Sequence, residues 1–196
     1  MMEQEEGTKT FQVKVGFFGA KAVGKTAIIR RFLEDSFEET YNPTQTVNMH
    51  YYVPEMCDVK LQLIIYDFPG DIAFRRVRID FLEKNKMNIN VVVVDASDSY
   101  SYFALTDILS ELELTNQIGH GFLFFVLNKI DLKEVVISRD IMLALVRTVE
   151  KYYGIPPMPL IETSAKTGEN IKLLFNTIIR YAITKTKTGN TTRTQI

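Results

Sequence analysis

The chain alternates two kinds of hydrophobic pattern. Phe11 to Phe18 begins by alternating apolar and polar positions and then turns wholly apolar, as a strand entering a sheet does. Beyond Lys25, apolar residues recur at Ile28, Ile29, Phe32 and Leu33, the spacing of a helix face. Val47–Val53 and Lys60–Asp67 read as strands joined through a turn around Pro54–Asp58, close enough to pair antiparallel. Asn90–Asp95 and Phe122–Leu127 are short, nearly pure apolar runs, expected for strands covered on both faces. Met158–Glu162 is a weaker last strand. Helical periodicity fills the gaps at Ser101–Leu114, at Arg139–Tyr153 and at Glu169–Thr184. The second of these has Ser138 as N-cap and ends at Gly154 before Pro156 and Pro157. This alternation predicts an α/β fold, a mostly parallel six-stranded sheet with one antiparallel edge strand. In such sheets ligands bind outside the carboxyl ends of the strands.

Composition narrows the class. The 196 residues are 46% hydrophobic and 24% charged, ordinary for one globular domain with a real core. A net charge of −1 gives no general attraction to nucleic acid or anionic membranes. Cys57 is the single cysteine, which excludes an internal disulfide and fits a reducing compartment. No apolar run reaches transmembrane length, and the acidic start is unlike a secretory signal. Residues 1–10 are polar and expected to be loose. The threonine-rich stretch 184–196 is expected to be a flexible tail, which leaves 11–183 as the folded domain.

The chemistry sits where strands end. Gly19-Ala20-Lys21-Ala22-Val23-Gly24-Lys25-Thr26 follows the first strand and opens a helix, the context that a G-x-x-x-x-G-K-[ST] phosphate loop requires. Its glycines let backbone N–H groups curl inward towards phosphate oxygens, a cradle spanning Gly19, Ala22, Val23, Gly24 and Ala27. The helix N-terminus adds its positive end. Lys25 is placed to reach the β and γ phosphates, and the Thr26 hydroxyl to bind Mg²⁺. Read alone, the same residues also fit a glycine-rich turn. Three more polar clusters follow strand ends: Asp67-Phe68-Pro69-Gly70, Asn128-Lys129-Ile130-Asp131 and Thr163-Ser164-Ala165-Lys166.

Together with Tyr41-Asn42-Pro43-Thr44, in this order and at these intervals, these motifs resemble the Ras superfamily of small GTPases over residues 11–183. Phe74-Arg75-Arg76 and Thr46-Val47 look Rab-like, so the resemblance points to the Ras and Rab branches. It implies a P-loop G domain with about five helices, and a GTP/GDP switch with Mg²⁺ that hydrolyses GTP in signalling or vesicle traffic. It also implies that Asp131 accepts hydrogen bonds from guanine N1–H and the 2-amino group. Adenine would leave that carboxylate unpaired. Asn128 would brace the loops, the Lys129 stem would lie along the base, and the Ala165 N–H, flanked by Ser164 and Lys166, would meet guanine O6. Phe37 matches the aromatic residue against the purine, and Tyr41 belongs to the same loop. Thr44 is the expected γ-phosphate sensor and completes a metal set with Thr26 and Asp67, while Gly70 N–H donates to the γ-phosphate. The loops about 37–48 and 68–80 would order with the triphosphate and present effector surfaces, with activating and exchange proteins as further partners.

Several positions depart from the pattern. Asp71 follows Gly70 where the family usually has a water-orienting glutamine. An ionised carboxylate cannot donate to the γ-phosphate, so slow hydrolysis is expected; acting as a modest base is the other reading. Lys21 occupies a position of small residues. It could crowd an arginine finger, supply that charge in cis, or face solvent. Phe68-Pro69 would stiffen the second switch, and Tyr66, where Rab-like members carry tryptophan, would keep an aromatic platform. No cysteine follows Cys57 and no glycine follows Met1, so no intrinsic lipid anchor is visible. The expected location is the cytoplasm, with recruitment to membranes by a partner. Two other functions compete with the GTPase. One is a pseudo-GTPase that holds GTP as an interaction module. The other is a P-loop small-molecule kinase, weakened by Asn128–Asp131, by Ser164–Lys166 and by the lack of an arginine-rich lid.

Overall fold

The computed structural model describes residues 10–55 and 60–187, leaving aside the side chains of 185–187. The loose start expected for 1–10, the turn expected around Pro54–Asp58 with Cys57, and the tail beyond 187 lie almost wholly outside the described residues. Six strands form one sheet in the order β2-β3-β1-β4-β5-β6. They are β1 (Phe11–Phe18), β2 (Asn48–Tyr52), β3 (Leu61–Asp67), β4 (Ile89–Asp95), β5 (Phe122–Asn128) and β6 (Leu160–Thr163). All neighbours run parallel except β2, which pairs antiparallel with β3 at the edge. This is the architecture expected from the sequence.

The helices are α1 (Lys25–Glu34), α2 (Arg75–Lys84), α3 (Ser99–Phe103), α4 (Leu105–Leu114), α5 (Arg139–Tyr153) and α6 (Ile171–Lys187), with a 3₁₀ turn at Ile72–Phe74 before α2. Only Ala104 separates α3 from α4, and its φ/ψ is helical, so the two form one broken body and five helical bodies flank the sheet. That body begins at Ser99 rather than Ser101, because Asp98 caps it by accepting the Tyr100 N–H. Ser101 is buried instead and donates to the Asp98 carbonyl. α6 runs past residue 183, to Lys187.

Side chains leave the sheet alternately. Val13, Val15, Phe17, Val91, Val93, Phe124 and Val126 pack on one face with Ile28 of α1 and Leu174, Phe175 and Ile178 of α6. Phe18, Ile64, Val92, Val94, Phe125 and Leu127 pack on the other with Leu82 of α2, Leu112 of α4 and Val146 of α5. Both faces of β4 are buried, which is why its sequence shows no alternation. The chain crosses from one half of the sheet to the other at β1, which lies between β3 and β4. The crevice beyond its carboxyl end is therefore the switch point where such sheets bind ligands. Among the described residues no helix is long and apolar enough to cross a membrane.

Candidate functional site

The loop after β1 curls because its backbone enters the left-handed region at Ala22 (φ 62°) and Gly24 (φ 97°). A Cβ at Gly24 would collide with Asn128 Nδ2, so glycine is needed there for space as well as for conformation. Lys25, first in α1, turns its side chain back over this loop. It is 5% exposed, and its Nζ donates to the carbonyls of Gly19 (3.0 Å) and Ala20 (2.8 Å). Burial lowers its pKa from 10.5 to about 8, opposed by Asp67 and assisted by Arg78.

Beside Lys25, Thr26 Oγ1 donates to Asp67 Oδ2 (2.6 Å) and lies 3.1 Å from Thr44 Oγ1. Asp67 is fully buried, and desolvation raises its pKa. Its Oδ1 has no hydrogen-bond partner. An orphaned carboxylate oxygen beside two hydroxyl oxygens is a hard-oxygen set suited to a divalent cation such as Mg²⁺. Among the described residues no cluster of three His, Cys, Asp or Glu side chains offers another metal site.

At the far end, Asn128 ties three loops together. Its Nδ2 donates to Val23 O (2.9 Å), while its Oδ1 accepts from Thr163 Oγ1 (3.1 Å) and Ala165 N (3.2 Å). The Ala165 N–H, expected to face a base, is thus met first by the Asn128 side chain at the neighbouring strand end. Ser164 Oγ donates to Asp131 Oδ1 (2.6 Å) and accepts the Thr167 N–H. Lys129, left-handed at φ 65°, extends its Nζ to Asp95 Oδ2 (2.6 Å) at the end of β4.

A cleft of about 450 Å³ joins these two ends. Ala22, Gly24, Lys25, Thr26, Ala27, Phe37, Tyr41, Thr44, Gly70, Asn128, Lys129, Asp131, Ala165 and Lys166 line it. Gly19, Val23, Asp67, Asp71 and Ser164 do not. Val23 has its side chain in the core, Gly19 backs onto Val93 O, and Ser164 stands behind Asp131. Lys25 and Asp131 therefore open into one cavity.

The segment after β3 is anchored from behind. Arg78 is 2% exposed and makes a bidentate pair with Glu111 of α4 (2.8 and 2.7 Å). Its Nη1 donates to the carbonyls of Pro69 and Asp71, both at 2.9 Å. Phe68 is buried and stacks on Phe18 (4.6 Å). Tyr66 overturns its expectation. At 6% exposure, packed against Phe81 (5.3 Å), it offers no surface platform.

Sequence reasoning missed Arg78, Glu111 and Asp95. Asp95 carried a signal, since it ends β4 as Asp67 ends β3. Arg78 carried none, because an arginine within a charged run reads as surface. Residues 14–184 match the model of the Ras family.

Proposed function

The chain belongs to the Ras family, and from that premise we propose that this cleft takes GTP and GDP with Mg²⁺ and that the protein is a slowly hydrolysing switch. The observation that carries this reading is the single cavity that reaches from Lys25 to Asp131. In it Asp131, held by Ser164, reads the guanine edge. Asn128 keeps the base loop and the phosphate loop in register, and Phe37 covers the purine. Lys25 would exchange its two carbonyl partners for phosphate oxygens. Thr26, Thr44 and Asp67 would hold the metal, which supplies positive charge against the β and γ phosphates. The Gly70 N–H and the loop N–H groups stabilise charge that shifts towards the β–γ bridge oxygen. Gly70 suits that task because it packs so closely on Ala20 O and Lys25 Nζ that a Cβ could not enter.

Slow turnover follows from Asp71. Its Oδ1 accepts the Ala73 N–H (3.0 Å), capping the 3₁₀ turn, and a carboxylate so held is a poor substitute for a glutamine that aligns water. The same fact supports a second reading, a GTP-bound interaction module that does not hydrolyse. Effector, activating and exchange proteins would dock on the loops about 37–48 and 68–80, where Tyr41, Ile72 and Val77 are exposed. A partner would likewise supply any recruitment to membranes.

Nucleotide extracted from the purified protein tests the reading directly: guanine nucleotide is expected, and adenine nucleotide would overturn it. Single-turnover hydrolysis of bound GTP then separates the readings. A slow measurable rate supports the switch, and a zero rate unmoved by cell extract supports the module.

A further inference from the structure

Two residues that depart from the family pattern face each other. Lys21 Nζ lies 3.9 Å from Asp71 Oδ2, with the side chains 62% and 39% exposed. A solvated pair at this distance adds little to stability, so its meaning lies in where it stands. Lys21 follows Ala20, whose carbonyl holds the Lys25 ammonium. Asp71 follows Gly70, which abuts that same ammonium. The pair therefore bridges the phosphate loop and the second switch region at the terminal-phosphate end of the cleft.

The carboxylate is also fixed in place. Ala73 N–H binds its Oδ1, and Arg78, itself locked to Glu111, binds the Asp71 carbonyl. An anion held there repels an arriving terminal phosphate unless a cation offsets it. On the guanine-nucleotide reading Lys25 would be committed to the phosphates, whereas Lys21 reaches the carboxylate itself.

We propose that Lys21 and Asp71 act as one compensated charge pair, with Lys21 the residue that sets the preference for a triphosphate over a diphosphate. The proposal rests on the guanine-nucleotide reading above. Asp71 holds the Lys21 ammonium over the loop, and Lys21 cancels the charge that Asp71 would turn on the γ-phosphate. A diphosphate places no charge there and is indifferent to the pair.

The test is a double-mutant cycle read by binding, without hydrolysis. Dissociation constants of GDP and of a non-hydrolysable GTP analogue are measured for the wild type, Lys21→Ala, Asp71→Asn and the double variant. Lys21→Ala is expected to lower the preference for the triphosphate about tenfold, the order of one nearby charge left uncompensated in a partly screened site. Asp71→Asn is expected to raise that preference several-fold more in the Lys21→Ala background than in the wild type. Equal effects in both backgrounds would show two independent residues and overturn the pair, as would an unchanged preference in Lys21→Ala. Should Lys21→Ala bind neither nucleotide, the charge-free Lys21→Gln carries the same comparison. Failure of the wild type to bind either nucleotide would instead overturn the guanine-nucleotide reading, and this proposal with it.

Discussion

The two ends of the cleft are built on opposite plans. At the end proposed for the base, most of the polar groups are held by neighbours that stand behind them: Asp131 by Ser164, Lys129 by Asp95, and Asn128 by Val23 and Thr163, while the Ala165 N–H is spent on Asn128 itself. At the end proposed for the phosphates the polar groups hold one another. Lys25 is spent on the loop's own carbonyls, and Thr26 on Asp67 and Thr44. On the guanine-nucleotide reading, a purine could dock against Asp131 without breaking the bonds that orient it. A phosphate–metal group must replace bonds already made. On the proposed reading, the first plan would give selectivity that does not depend on state, and the second a region whose internal bonds change with the ligand, which a switch needs.

The sharpest break of the base end is Asp131→Asn. The amide presents a donor towards guanine N1–H, and GTP affinity is expected to fall by about a thousandfold, as when a site built for one hydrogen-bond pattern meets another. Xanthosine nucleotides should bind in compensation. Competition binding of GTP and XTP reads both effects, and full GTP affinity in the variant would refute the assignment of Asp131.

The phosphate end breaks from behind. Glu111→Ala leaves the Arg78 guanidinium buried without its carboxylate, at a cost of about 3–5 kcal/mol. For a domain of this size that corresponds to a fall in Tm of roughly 10 °C. The pair also anchors Pro69 and Asp71 through Arg78, so hydrogen exchange in α2 and the 3₁₀ turn should rise while Asn128–Asp131 stays protected. Loss of protection at both ends alike would mean that they are not separately supported.

The same contrast explains what could be read from the sequence. The base end is built from contiguous motifs in which each residue carries its own chemistry, and the strands that present them are uniform apolar runs, so both were legible. The phosphate-end support is assembled from distant residues. Arg78 and Glu111 are 33 positions apart, and each alone looks like a solvated charge. α2 escaped prediction for the same reason: its buried face carries Arg78 beside Ile79 and Leu82, so the apolar stripe is interrupted. Tyr66 misled because its position in a known pattern suggested a surface, whereas Phe68 and Phe81 close over it. The pairing of Lys21 with Asp71 depends on how two loops meet, which no local pattern encodes.

Proton linkage offers a milder probe of the phosphate end. Lys25 has a folded pKa of about 8 against 10.5 for the free side chain. Between those values the unfolded chain binds the extra proton, so the stability of the unliganded protein should rise with pH from about 8 to 10.5 and stay level below. Bound polyphosphate favours the charged ammonium, so nucleotide affinity should run the other way and weaken by up to about tenfold per pH unit above 8. Denaturation midpoints and GDP affinity measured across this range should move in opposite directions. Parallel movement would show that Lys25 does not govern either one.

The smallest effect lies where the loop before β2 fastens across the cleft. Glu38 pairs with Arg30 of α1 (2.5 Å), and Glu39 pairs with Lys166 beside the base loop (3.2 Å). All four residues line the cavity, so the pairs form a strap between its two ends. The Glu39–Lys166 pair is largely solvated and the Glu38–Arg30 pair partly so, and pairs of this kind are worth about 0.2–1 kcal/mol. Glu39→Gln should therefore speed GDP release only about two- to fivefold, and Glu38→Gln by a similar factor. Because exposed charges are screened within about 10 Å at 0.1 M salt, raising the ionic strength should speed release from the wild type and leave the double variant nearly unchanged. Stopped-flow displacement of a fluorescent GDP measures both. A salt response that survived loss of both carboxylates would place the strap's strength elsewhere, in the packing of Phe37 under Arg31 (6.0 Å).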